Sequence, residues 1–102
     1  MTAIVTFLEG NKVRVAEAFT RTTDGVAVDP GVIVFMHRLG PTGTVTTLTY
    51  LTDVALVKDS VGNYHVDIDL TAPGTLYWEW RGTGANQAAD EGNFAVTESR
   101  FA

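Results

Sequence analysis

Residues 64–70 read YHVDIDL, and this stretch decides the fold class. Successive side chains of a strand point to opposite faces, so Tyr64, Val66, Ile68 and Leu70 share one face while His65, Asp67 and Asp69 share the other. That is a half-buried β-strand. No twelve-residue stretch of the chain carries apolar residues at i, i+3, i+4 and i+7, whereas two-residue alternation recurs along its length.

Working outward, β-rich runs are separated by turn chemistry: EGNK at 9–12, DG at 24–25, DPG at 29–31, GPTG at 40–43, DSVGN at 59–63, APG at 72–74 and GTGANQAADEG at 82–92. The candidate strands are 3–8, 12–20, 32–38, 44–51, 64–70, 75–81 and 93–98, with 54–57 as an eighth. Seven or eight short strands at this spacing make a sandwich or a small barrel, and the tight connections favour the sandwich. Gly10-Asn11 and Gly62-Asn63 suit corners that need positive φ, and the absence of any crossover helix argues for antiparallel pairing throughout. The 82–92 stretch reads as the longest loop. With no repeat, low-complexity tract or linker, residues 1–102 form one all-β domain, in which 1–8 is either an N-terminal arm or the first strand.

A second stretch, PGTLYWEWRGTG at 73–84, bears on function. Alternation puts Leu76, Trp78 and Trp80 on one face and Tyr77, Glu79 and Arg81 on the other. The indoles thus lie opposite the polar set, which assigns them to the core rather than to a stacking platform for a sugar or base. The expected core is Tyr64, Val66, Ile68, Leu76, Trp78, Trp80, Phe94 and Val96.

The composition is that of an ordinary globular chain of 102 residues, 45% hydrophobic and 19% charged. There is no cysteine, which removes disulfides, thiolate zinc sites and thiol catalysis together. The net charge is −5, all of it from residues 51–102, where eight acids face three bases. Such a field repels phosphate backbones, so no nucleic-acid partner is expected; solubility accounts for it more simply than recruitment of a basic partner. No apolar run reaches membrane-spanning length, and MTAIVTFLEGNK lacks a basic leader region, so neither a membrane nor a secretory route is expected.

The search for chemistry yields little. His65, Asp67 and Asp69 have ligand-like spacing on one strand, but a polar face of this kind is what any half-solvated strand shows. Gly82-x-Gly84 begins a dinucleotide fingerprint that fails at Gln87 and lacks a βαβ unit. Ser60 and Ser99, with His37 and His65, stand in no nucleophile motif. Asp67 and Asp69 do not face each other across a cleft, and Asp90-Glu91-Gly92 reads as turn solvation. No enzyme, metal or cofactor is expected. Two interaction signals remain. The uncharged TGTVTTLTYLT at 42–52 is either a water-tolerant edge strand or an edge that accepts a partner's strand. In the N-terminal segment, Ile4, Val5, Phe7 and Leu8 depart from alternation, which makes them either an interface or an internal edge strand.

Taken in order, FTRTTDGVAVDPGVIVFMHR, GNYHVDIDL, PGTLYWEWRGTG and ADEGNFAV resemble the small Ig-like proteins encoded in the virion structural modules of tailed bacteriophages. The resemblance spans about residues 7–97. In it, Tyr64 corresponds to the family's aromatic corner, Trp80 to its core indole, and Phe94 with Val96 to its last core strand, while RLGPTG at 38–43 departs from the usual P-x-G hairpin. It implies an Ig-like antiparallel β-sandwich and a non-catalytic virion component, made in the bacterial host cytoplasm. The expected role is capsid decoration or cement, with a neck or tail accessory role as the alternative. Its partners would be the major capsid or the neck and tail proteins, or further copies of itself. A carbohydrate-binding adhesion module is the rival of a different class.

Overall fold

The computed structural model of the chain describes residues 6–84 and 87–101. It contains β1 (Thr6–Leu8), β2 (Lys12–Ala18), β3 (Val32–Leu39), β4 (Thr46–Thr49), β5 (Leu56–Ser60), β6 (Asn63–Asp69), β7 (Gly74–Thr83) and β8 (Ala88–Thr97). Five strands form one sheet in the order β1-β8-β7-β3-β4, and three form a second in the order β2-β6-β5. All neighbours are antiparallel except β1 and β8, which run parallel with Phe7 opposite Val96.

The alternation of YHVDIDL fixes the facing surfaces. Tyr64, Val66 and Ile68 of β6, with Val13 and Val15 of β2 and Leu56 of β5, pack against Ile33 and Phe35 of β3, Leu76 and Trp80 of β7, and Phe94 and Val96 of β8. At the centre the Trp80 and Phe35 rings lie 4.6 Å apart across the β3–β7 ladder, and Phe19 meets both Tyr64 and Trp80 edge-on. Aromatic pairs in these arrangements add to the burial of area. The strand order is that of an Ig-like sandwich: β2, β6 and β5 stand where strands B, E and D stand, and β4, β3, β7 and β8 where C′, C, F and G stand. Antibody domains place a Trp on strand C against a B–F disulfide. Here, without cysteine, the large indole sits on the F-equivalent β7 and a phenylalanine on the C-equivalent β3.

Two glycines carry the local geometry. Gly62 has φ +78°, and a Cβ there would lie 2.6 Å from the Phe19 carbonyl oxygen, in the place where the β5–β6 turn is bonded to the chain after β2. Gly92 sits opposite Trp78, and a Cβ there would lie 2.5 Å from Cζ2 of the indole. The aromatic ring thus occupies the space that the glycine leaves on its strand.

Several sequence-based expectations are corrected. The stretch 82–92 is mostly strand: Gly82 and Thr83 end β7, and β8 begins at Ala88, so the two strands pair over nine residues. Asp90, Glu91 and Gly92 therefore lie in a ladder and not in a solvated turn. Pairing is also not antiparallel throughout, because β1 joins β8 in parallel; strands from opposite ends of a domain need no crossover helix between them. Finally, Trp78 is only partly buried, unlike Trp80 at 0% exposure. The eighth strand forms, as β5, over 56–60 rather than 54–57. In the RLGPTG segment β3 stops at Leu39, and Gly40, with φ +72°, donates its N–H to the Thr75 carbonyl at 2.7 Å.

Candidate functional site

The polar side chains of β6 do not converge. Asp67 receives a two-pronged bond from Arg14 of β2, Nε to Oδ1 at 2.9 Å and Nη2 to Oδ2 at 3.2 Å, which holds its carboxyl below the usual carboxylate range. Asp69 pairs with Lys12 at 3.7 Å. His65 is not exposed as its place in the alternation implies but 7% exposed, its Nδ1 bonded to Asp59 Oδ2 at 2.7 Å. Each ligand-like group is thus engaged with a different neighbour. Among the described residues no three His, Asp or Glu side chains are grouped as a metal would need.

Tyr64 does hold a corner, though through a carboxylate. Its hydroxyl donates to Asp29 Oδ1 at 2.7 Å, where the Gly62 N–H also donates at 2.8 Å, and Lys58 Nζ donates to Asp29 Oδ2 at 2.7 Å. Lys58 above all, then the Gly62 and Tyr64 bonds, lower the Asp29 pKa to about 2. Burial, and then the bond to Asp29, raises the Tyr64 hydroxyl in turn. The node ties the DPG segment to the β5–β6 turn and leaves little of Asp29 for a substrate.

A carboxyl pair occurs elsewhere than at Asp67 and Asp69. Glu17, on β2 but turned toward the interior like Val13 and Val15, has its pKa raised to about 7, chiefly by burial and then by the nearby Asp90 carboxyl of β8. One oxygen of Glu17 accepts the Ala18 N–H at 3.0 Å. The serines are occupied locally: Ser60 Oγ accepts from Asn63 Nδ2 at 2.9 Å and Ser99 Oγ from the Phe101 N–H at 3.1 Å. Burial lowers the His37 pKa, and its ring packs against Phe35.

The surface carries more information. Phe7 is turned inward, its ring edge-on to Phe94 at 5.1 Å, so it is unavailable to the expected N-terminal interface; Leu8 is 48% exposed. Ile4 and Val5 lie outside the described residues. Of the Thr-rich stretch, β4 forms an edge of the five-stranded sheet, and its outward side is partly closed. The Thr49 N–H donates to Asp53 Oδ2 at 2.8 Å, and the Thr49 carbonyl accepts from Thr52 and Asp53 at 3.1 and 2.9 Å. An incoming strand would find these groups already used.

The same bonds shape a loop that the sequence pattern merges into strands. Tyr50 anchors it by an N–H bond to the Ile33 carbonyl at 3.0 Å and by its ring against Tyr64 at 5.3 Å. Beyond that anchor, Leu51 adopts φ +74° and is 86% exposed, and Val54 is 97% exposed. A branched apolar residue in left-handed backbone is rare and strained. The only sequence signal for the loop is Asp53, a turn former that caps the backbone four residues before it. On the outer face of the five-stranded sheet, a groove of about 240 Å³ is lined by Met36, Arg38, Val45, Tyr77, Glu79 and Glu91, among others.

No family model matches the chain, and no curated relative does. Among solved structures it is similar to one titled "Crystal structure of the ZIG-8 IG1 homodimer", at 14% identity, over 94% of this chain and 79% of that one, with a TM-score of 0.48.

Proposed function

We propose that the chain is a non-catalytic structural module of a tailed-phage particle, a capsid decoration or cement protein, with a neck or tail accessory role as the alternative position. The virion part of this reading rests on the run of motifs from FTRTTDGVAVDPGVIVFMHR to ADEGNFAV. The geometry supports a module that works by protein contact, and one observation carries it: the loop at 50–55 holds Leu51 and Val54 almost fully in solvent on a hydrogen-bonded backbone. Exposed apolar side chains on a pre-ordered loop are suited to anchoring in a partner's pocket, each contributing about 1.5–3 kcal/mol when buried.

The test is the composition of purified particles of the phage encoding the chain. The protein is expected at a fixed copy number per particle, and a Leu51→Asp, Val54→Asp variant, folded by circular dichroism, is expected to be missing from them. Absence of the native protein from particles overturns the virion reading. Incorporation of the variant at native level overturns the loop as the anchor. Glycan binding by the isolated domain would replace both with the adhesion reading.

A further inference from the structure

We propose that the outer face of the five-stranded sheet is a two-fold interface that joins two copies of this chain, with Arg38 of each copy paired to Glu91 of the other. The face is laid out in cross-strand rows. One row runs Thr47, Met36, Glu79, Glu91 and the next runs Arg38, Tyr77, Asn93. In the first row two carboxylates, Glu79 and Glu91, stand directly opposite each other on paired strands, an arrangement that is unfavourable unless a cation joins it. Arg81 serves Glu79, with Nη2 to Oε1 at 3.1 Å. Glu91 has no ion-pair partner among the described residues, and neither has Arg38, whereas Lys12, Arg14, Arg21, Lys58 and Arg81 each have one.

The face therefore carries one unpaired charge of each sign beside an apolar groove floored by Met36, Val45 and Tyr77. Arg38 and Glu91 flank β7, two strand spacings and one row apart, about 12 Å. Among the described residues they form no ion pair with each other. A two-fold axis lying in the plane of the face and crossing β7 between Tyr77 and Glu79 brings each Arg38 over the other copy's Glu91. Isologous contact then forms the pair twice and closes Met36 and Tyr77 against the partner.

Charge favours a second copy over another occupant. The chain carries −5 overall, yet Arg38, Glu79, Arg81 and Glu91 sum to zero on this face, so like copies meet here without the repulsion that the rest of the surface imposes. The strands of this sheet, 3, 10, 10, 8 and 4 residues long and about 4.8 Å apart, offer about 550 Å² per partner, the size of a weak, reversible interface. The inference is independent of the virion reading, because it is tested on the isolated chain.

The experiment is sedimentation velocity across a concentration series on the native chain, on Arg38→Glu, on Glu91→Arg, and on an equimolar mixture of the two variants, each checked for a native melting profile. The native chain is expected to dimerise, and each variant alone to lose at least about 100-fold in affinity, since like charges then meet at both contacts. The mixture is expected to recover a heterodimer. At one contact the introduced glutamate of the first variant faces the introduced arginine of the second, and at the other the native Arg38 and Glu91 meet as before. A native chain that stays monomeric, variants that dimerise like the native chain, or a mixture that stays monomeric would each overturn the proposal. Should a reversal lower the melting temperature, Arg38→Gln and Glu91→Gln, which weaken the contact without repulsion, take its place, and unchanged dimerisation of both overturns it equally.

Discussion

Replacing Trp80 by alanine should cost far more stability than replacing Trp78, although both belong to one strand face. Trp80 is 0% exposed and packed against Phe35 at 4.6 Å, with Phe19 at 6.5 Å. A buried indole of roughly 200–250 Å² at about 25 cal/mol per Å² gives about 5–6 kcal/mol. The methyl that alanine keeps and the compactness of the unfolded chain reduce this to about 3–5 kcal/mol, the range of large-to-small changes at buried aromatics. Trp78 lies at the rim of the core, over Gly92, and its loss should cost about 1–2 kcal/mol. At about 4–8 °C per kcal/mol, Trp80→Ala lowers the Tm by about 12–40 °C, where Trp78→Ala lowers it by about 4–16 °C. Denaturant melts followed by far-ultraviolet circular dichroism give both free-energy costs. Single-tryptophan proteins made with Trp78→Phe or Trp80→Phe should show blue-shifted, iodide-resistant emission for Trp80 and partial quenching for Trp78. Equal costs for the two alanine variants, or solvent-like emission from Trp80, would refute the packing argument.

The remaining expectations concern charge, backbone and metal. Glu17 has a folded pKa near 7, above its unfolded value near 4.3, so its neutral form stabilises the fold below pH 4 and that stability is lost as pH rises through 7. Glu17→Gln should therefore gain about 1 kcal/mol at pH 8, once partial exposure is allowed for, seen as a higher Tm that returns to the native value near pH 4; a pH-independent difference would count against the buried carboxyl. Asp29, depressed to about 2, works the other way: its contribution is present above pH 4 and is lost as pH falls through 2, so Asp29→Asn should flatten the acid limb of a pH melt. Gly62→Ala, at φ +78° and against the Phe19 carbonyl, should cost about 2–4 kcal/mol in denaturant unfolding, and a loss under about 1 kcal/mol would mean that the turn can move. Dialysis against a chelator should leave the Tm unchanged, and zinc should not raise it; stabilisation by zinc that disappears in a His65→Ala, Asp67→Ala variant would reinstate a metal site on β6.

What the sequence determined by itself is what depends on neighbours along the chain. Alternation over 64–70 and 76–80 set the strands and their inward residues, and Gly10 and Gly62 marked corners that only positive φ allows. Pairing between distant segments was decided by tertiary structure. The run AADEGN has weak strand propensity, yet residues 88–93 are extended because β7 offers them a ladder of backbone partners, a gain that propensity does not register. The parallel β1–β8 pair joins opposite ends of the chain, and no local pattern encodes it. Burial behaved likewise: strand parity placed Trp78 and Trp80 together, but only the packed sheets put one at the centre and the other at the rim, and only the position of Asp59 gave the buried His65 a partner on the strand's polar face. The surface features on which the proposals rest, Leu51 and Val54 on a clamped loop and Arg38 and Glu91 without an ion pair among the described residues, arise from contacts made or left unmade between segments far apart in sequence. Local chemistry specifies which conformations a segment can take, while exposure and pairing are properties of the whole fold.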